Sequence, residues 1–330
     1  MNTSLKHDLA RLDAAIDKSF ELTAHDGLAR SFHRFEPEDI DAAVTALATH
    51  RPLLVRGVPG TGKTQLARAI AQVLGRALVP RVVDAQTETL DLLWTFDAVS
   101  RLGRAQVLGT QQGLDLDAVT KLLDPGDFVK PGPLWWGFDW SGAEVQARRS
   151  HAVLPKPPDG WSLEKGVVVL VDEIDKADVS VPNALLDAFG QGRFHVDGVG
   201  FVGMNHAHPP LVVITTNEER VLPDAFLRRC VVRQILVPDA DTDFEAWLVR
   251  RGLVHREERD RPVLEMAARL VRAARNKVRE RNLCPPGGAE YIDLLDAVAR
   301  LAPGDIDAQR TTLDRLAPYV LDKHPPEPTR

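Results

Sequence analysis

Short, near-continuous apolar runs alternate along this chain with longer stretches in which apolar residues recur every three or four positions. RPLLVRG from Arg51, LVPRVVDA from Leu78, GVVVLVD from Gly166, LVVITTN from Leu211 and CVVRQILV from Cys230 are the runs. Each has the length and β-branched content of a strand buried on both faces. EPEDIDAAVTALATH has helical spacing at Ile40, Val44 and Leu47, and KTQLARAIAQVLG at Leu66, Ile70 and Val73, with Gly75 as its stop. Strands separated by helices and apolar on both faces predict a parallel sheet covered on two sides, a Rossmann-like α/β core.

The pattern divides the chain. Residues 1–35 are polar and helix-forming and predict a helical arm; 36–238 carry the α/β core. After Pro238 the segments FEAWLVRRG, LEMAARLVRAARNKVRERN and YIDLLDAVARLA predict a small all-α domain over 239–323, and the Pro-rich 324–330 a loose tail. Two regions interrupt the core. Residues 86–165 form an insertion rich in Gly, Pro and Trp, with Trp135, Trp136, Trp140 and Trp161; such a cluster more often packs an insertion on its own domain than offers a partner surface. Residues 192–208 predict a β-hairpin turning near Gly198 and Gly200.

Composition narrows the class only modestly. With 330 residues, 44% hydrophobic and 27% charged, the chain can bury a sizeable core. A net charge of −6 and a pI near 5.9 leave no dominant footprint for nucleic acid. Cys230 and Cys284 lack metal-ligand spacing, and His195, His206 and His208 lack partners that would make them ligands. No apolar run nears the ~20 residues that span a bilayer, and the N-terminus has no signal core, so the expected location is cytoplasmic, away from membranes.

Chemistry enters at Gly57-Val58-Pro59-Gly60-Thr61-Gly62-Lys63-Thr64, which fits GxxxxGK[ST] between a predicted strand and a predicted helix, with Gln65 next. Glycines let the backbone form a concave nest whose N–H groups face a phosphate, and the helix adds its positive end. Lys63 places a cation at the β/γ oxygens and the Thr64 hydroxyl is placed to ligate Mg²⁺. The strand Val167–Val171 carries Asp172 and Glu173 to its C-terminal edge, where open α/β sheets bind ligands. There Asp172 can hold Mg²⁺ through water and Glu173 can polarise an attacking water. Asn217 ends a strand expected between these two and can orient that water. Arg228 and Arg229 follow, and arginine suits stabilisation of a phosphoryl-transfer state from a neighbouring subunit. The basic run Arg269, Arg272, Arg275, Lys277, Arg279 and Arg281 reads as a solvated face before it reads as a contact.

This order of motifs resembles the AAA+ superfamily of P-loop NTPases, and PGPLWW, VDEIDKADVSVPNALLDAF and TTNEERVLPDAFLRRC are similar to blocks of MoxR-like ATPases. The resemblance covers roughly residues 35–300. It implies an AAA+ core with a helical lid, ATP and Mg²⁺ as ligands, Asp172 and Glu173 as Walker B, Asn217 as sensor 1 and Arg229 at the finger position. It places a helix-2 insertion at 86–130 and a pre-sensor-1 hairpin at 192–208. It further implies a homo-oligomeric ring, expected as a hexamer, that hydrolyses ATP to remodel a protein partner, often one with a von Willebrand factor A domain. A slow-turnover signalling or defence scaffold is the alternative, and a DNA-associated motor ranks third. Three departures stand out. Arg228 occupies the place of an Asp, so either arginine can be the finger. Glu290 and Tyr291 lie where the family has a sensor-2 arginine, for which Arg279 or Arg281 would have to substitute. About 35 extra residues precede Walker B.

Overall fold

The computed structural model describes residues 3–25, 27–110, 115–255, 260–279 and 283–323; the tail expected at 324–330 and Arg281 lie outside them. The N-terminal arm is helical only in α1 (Thr3–Asp13). The rest of the expected helix is instead an antiparallel pair, β1 (Ser19–Leu22) and β2 (Ser31–Arg34), in register from Ser19↔Arg34 to Leu22↔Ser31. Tertiary packing overrides helix propensity here. Phe20 lies edge-on to Phe35 at 5.6 Å, Leu22 and Phe35 are sealed in the core, and Gly27 at φ +82° serves the connection. α2 (Pro37–Thr49) follows, started by Pro37 and by a reciprocal cap between Glu36 and Asp39.

The core runs β3 (Leu53–Arg56), α3 (Lys63–Leu74) and β4 (Ala77–Val82). The insertion then contributes β5 (Trp94–Phe96), α4 (Ala98–Gly109), α5 (Leu116–Leu122), β6 (Val129–Pro131), α6 (Pro133–Phe138) and α7 (Trp140–Arg149). β7 (Val167–Asp172), α8 (Ser180–Gln191), β8 (Arg193–Val196), β9 (Gly200–Gly203), β10 (Leu211–Thr216), α9 (Asp224–Leu227) and β11 (Val231–Gln234) complete it. The main sheet is parallel, in the order β11-β3-β10-β7-β4. All five strands therefore end at one edge, the loops after β3, β7 and β10 share it, and β10 lies between the other two.

Period-two alternation sends successive residues to opposite faces. Val168 and Leu170 join Leu53, Val55 and Val213 under α1, α2 and α3, while Val167, Val169 and Val171 join Leu54 and Ile214 under α6 and α8. The second face is where the tryptophans go. Trp135 and Trp136 are buried, Trp140 lies between Trp136 and Trp161 at 5.0 and 4.6 Å, and the Trp161 indole donates to Gly166 O. Rings bury large area and need a partner for their N–H, which Trp161 finds on the backbone. The cluster fastens the insertion to the sheet.

Beyond β11 the chain is all-helical, with α10 (Asp241–His255), α11 (Arg261–Arg279), α12 (Gly288–Leu301) and α13 (Ile306–Leu321) around Phe244, Leu248, Leu264, Tyr291 and Leu313. The basic residues of α11 that are described mostly face outward and pair locally: Arg272 with Glu245 and Arg279 with Asp239. Arg275 is buried over the Phe244 ring. Among the described residues no helix is long and apolar enough to cross a membrane.

Candidate functional site

The loop between β3 and α3 must bend so sharply that three of its residues take positive φ, and all three are glycines: Gly57 at +153°, Gly60 at +77° and Gly62 at +91°. Gly60 is doubly constrained, since a Cβ there would lie 2.7 Å from Ala289 N at the start of α12. Thr61 braces the turn by donating to Val58 O, whereas Val58 stands half exposed at the loop's tip and Pro59 is exposed beside it. Lys63 is 6% exposed and its Nζ donates to Gly57 O at 2.7 Å and Val58 O at 3.0 Å. Burial pulls its pKa down, opposed by the carboxylates of Asp172, Asp175, Glu173 and Glu218. A buried ammonium satisfied only by carbonyls is held ready for an anion.

Across from it, Asp172 leaves the end of β7 with 8% exposure. It accepts from Thr64 Oγ1 at 2.9 and 3.1 Å and from Thr215 Oγ1 at 2.5 Å. A carboxylate and a hydroxyl already side by side are the hard oxygen donors that suit Mg²⁺, and no sulfur or imidazole competes among them. The residues fit that ion. Thr215 was not foreseen from the sequence; its one signal is a hydroxyl at the penultimate position of a buried apolar strand. The same hydroxyl accepts from Glu173 N at 2.9 Å and so holds the backbone where Glu173 turns to φ +61°.

Glu173 is half-buried between two partners. Asn217 Nδ2 donates to its Oε1 at 3.1 Å, and Lys176 Nζ donates to its Oε2 at 2.5 Å. Asn217 is fixed in turn, because Asp175 accepts from the backbone N–H of Asn217 at 3.2 Å and of Glu219 at 3.0 Å. Lys176 and Asp175 were also missed, though both lie in the DEIDK run that was read only for its first two residues. The chemistry this permits is polarisation of a water by a carboxylate whose orientation an amide controls.

Arg228 and Arg229 stand elsewhere. Both follow α9 just before the edge strand β11, exposed, and among the described residues neither forms an ion pair or side-chain hydrogen bond. The fold does not bring them to the loop of their own chain. Glu290 caps α12 by accepting from Gly287 N and pairs with Lys323, and Tyr291 is sealed in the helical domain, donating to Leu264 O. Arg279, the described candidate to replace them, is tied to Asp239.

Between core and helical domain lies a cleft of about 740 Å³, lined by Gly60, Thr61, Gly62 and Gln65 of the loop, His33 of β2 and Trp247 and Arg251 of α10. That volume lies within the range of small-ligand sites.

Residues 52–230 match the AAA domain (dynein-related subfamily). No curated protein matches the chain. Among solved structures, a candidate ATPase from Cytophaga hutchinsonii is similar at 14% identity, over 96% of this chain and 86% of that one, with a TM-score of 0.39. RuvB of Thermotoga maritima, a Holliday junction branch migration motor, is similar at 16% identity, over 84% of this chain and 67% of that one, with a TM-score of 0.41.

Proposed function

The chain belongs to the dynein-related subfamily of AAA domains and is a P-loop ATPase, and from that membership we propose that it turns over ATP at the seam between neighbouring copies in order to remodel a protein partner. The observation that carries this reading is the arrangement at the end of β7: Glu173 is held by Asn217 beside the Thr64–Asp172 pair, with Lys63 opposite.

The triphosphate enters the nest of N–H groups after Gly57, and Lys63 exchanges its two carbonyls for β- and γ-phosphate oxygens. A Mg²⁺ ion held through Thr64 and Asp172 would neutralise charge on the same phosphates. Glu173 takes the proton of the attacking water, and Asn217 sets the direction in which its carboxylate faces. The exposed arginines 228 and 229 serve the adjoining subunit, where either one reaches the γ-phosphate from outside. A closed ring, six subunits in the expected form, supplies every site with such a neighbour. The net charge of −6 favours a protein client over DNA, and the resemblance to MoxR-like ATPases favours one with a von Willebrand factor A domain.

A second reading, a slowly turning scaffold gated by bound nucleotide, is favoured by the ammonium of Lys176 on the same carboxylate that must act as base. Glu173→Gln separates the two. A remodelling ATPase loses turnover by at least ~10²-fold, keeps ATP affinity and retains its partner through purification with ATP. Unchanged turnover removes Glu173 from the reaction; lost turnover with undiminished function in the cell selects the scaffold.

A further inference from the structure

α4 of the insertion is mounted in reverse, with arginines turned toward the protein and apolar side chains toward water. None of its twelve residues is buried. Arg101, Ala105 and Leu108 are half-buried on its inner side. Arg101 Nε donates to Leu123 O at 3.2 Å and Arg104 Nη1 to Leu122 O at 3.3 Å, carbonyls that the end of α5 leaves open. The Arg104 guanidinium also lies over the Phe128 ring at 4.8 Å. Asp97 caps the first turn by accepting from Ser100 N and pairs with Lys130 at 2.7 Å. Polar groups alone therefore fix the helix in place.

Its apolar residues form a stripe on the other side. Val99 is 82% exposed, Leu102 61% and Val107 59%. With Gly103 and Gln106, both exposed, they stand at i, i+3, i+4, i+7 and i+8, the spacing of one helix face. Such a face normally meets a core, and a helix this short is marginal in water without packing. Among the described residues nothing covers it: a Cβ at Gly103, in the middle of the stripe, would meet nothing within 4 Å. The stripe carries no charge, so a charged partner gains nothing from it.

The pattern is close to self-complementary. Val99 and Val107 flank Gly103 at four residues on each side. A second α4 laid antiparallel about a two-fold axis at Gly103 sets each Val99 against the other's Val107. Each Leu102 then fills the gap left by the missing Cβ of the other's Gly103, and glycine lets the two axes approach to roughly 8 Å. We propose that α4 is a self-association site, its stripe covered by α4 of a second copy of this chain in an isologous pair. Area sets the strength. Each copy would bury on the order of 400 Å², about half of the ~800 Å² per partner in a stable interface. The pair is weak between two separate chains and gains by avidity wherever copies are already joined through other surfaces. It is independent of the nucleotide site, since no residue of α4 lines the cleft.

Gly103→Cys in a Cys284→Ser chain tests this, because one cysteine per chain at a two-fold axis meets its own copy. Space around Gly103 lets the variant fold, and the remaining Cys230 is buried. Under mild oxidation the expected product is a disulfide-linked dimer, formed at least ~10-fold faster than with Gly109→Cys at the end of the helix, away from the axis. Adding Leu102→Asp abolishes that advantage. Without the cysteine, sedimentation from about 5 to 200 μM shows the parent's mean mass rising toward about twice that of Leu102→Asp. Leu102→Asp keeps the parent's melting temperature and ATPase rate, since the side chain is exposed and remote from the site. Cross-linking no faster with Gly103→Cys than with Gly109→Cys, or equal masses with and without Leu102→Asp, overturns the proposal and leaves the stripe to a helix of a different protein.

Discussion

Thr215→Val removes one hydroxyl from the centre of the site and changes almost no volume. Thr215 is fully buried, so the hydroxyl's two bonds, to Asp172 Oδ1 and from Glu173 N, are shielded from water. The first is charge-assisted and worth roughly 1.5–3 kcal/mol; the second leaves a backbone donor unpaired at a cost of about 1–3 kcal/mol. The extra buried methyl of valine offsets about 0.8 kcal/mol. The net loss is about 2–5 kcal/mol, which at a denaturation slope near 3 kcal/mol/M lowers the urea midpoint by roughly 0.6–1.7 M. Catalysis suffers separately. Asp172 keeps only the Thr64 hydroxyl, and Glu173, at φ +61°, loses the bond that holds its backbone in that turn. A displacement of 1 Å at a reacting group costs about 10²-fold, and turnover falls by that order. Urea unfolding and a steady-state ATPase assay read the two effects, and Thr215→Ser, which restores the hydroxyl, recovers both. A valine variant within 0.5 kcal/mol of the parent, turning over ATP within about 2-fold, would show that Thr215 does not organise the site.

Two further outcomes concern a buried imidazole in the cleft wall and a buried ion pair behind α3. His33 has an Nε2 with no hydrogen-bond partner among the described residues, and burial, with Arg251's charge second, lowers its pKa from 6.5 to about 3. The unfolded chain therefore binds a proton below pH 6.5 that the folded chain refuses. Stability falls as pH drops from about 6.5 toward 3, by at most about 1.4 kcal/mol per unit. His33→Phe flattens that limb in a pH series of urea titrations, and an unchanged slope counts against the assignment. Asp8→Ala strips the partner from Arg76, a 2.8 Å pair with side chains only 11% and 8% exposed, leaving a buried cation. It lowers stability by about 3–5 kcal/mol and speeds proteolysis after α1, whereas cleavage at the parent rate would mark the pair as dispensable.

The three central strands β3, β7 and β10 were readable because both of their faces are buried, so each is a continuous apolar run needing no knowledge of its neighbours; the edge strands differ from that expectation, β11 being partly exposed along its length and β4 at its end, because each has a neighbour on one side only. The loop from Gly57 to Thr64 was readable because its backbone geometry demands glycine at fixed spacing. β1 and β2 were not. Each is four residues long, SFEL and SFHR, and the alternation is too brief to outweigh the helical composition around it. The side chains that second the site, Thr215, Asp175 and Lys176, were missed for another reason. A hydroxyl or carboxylate bonded across 42 or 43 residues leaves no periodic trace, and only the sheet order brings its partner near.

That same order explains how the cleft acquires its third wall. α3 begins at Lys63 in the phosphate loop and, one turn later, Arg68 donates to Thr23 O, Ala29 O and Ser31 Oγ, so the hairpin of β1 and β2 hangs from the helix that starts the nucleotide site. β2 carries Phe32 to within 4.9 Å of His255 at the end of α10, and α10 returns to the loop through Arg251 and Thr61. Loop, α3, hairpin and α10 thus close a circuit of direct contacts around the cleft. A helix is stiff along its axis, so a shift at Lys63 is carried to Arg68 with little loss, and interiors this densely packed move as units and do not deform gradually. β2 is therefore a wall of the cleft beside the loop from Gly57 to Thr64, held there by Arg68.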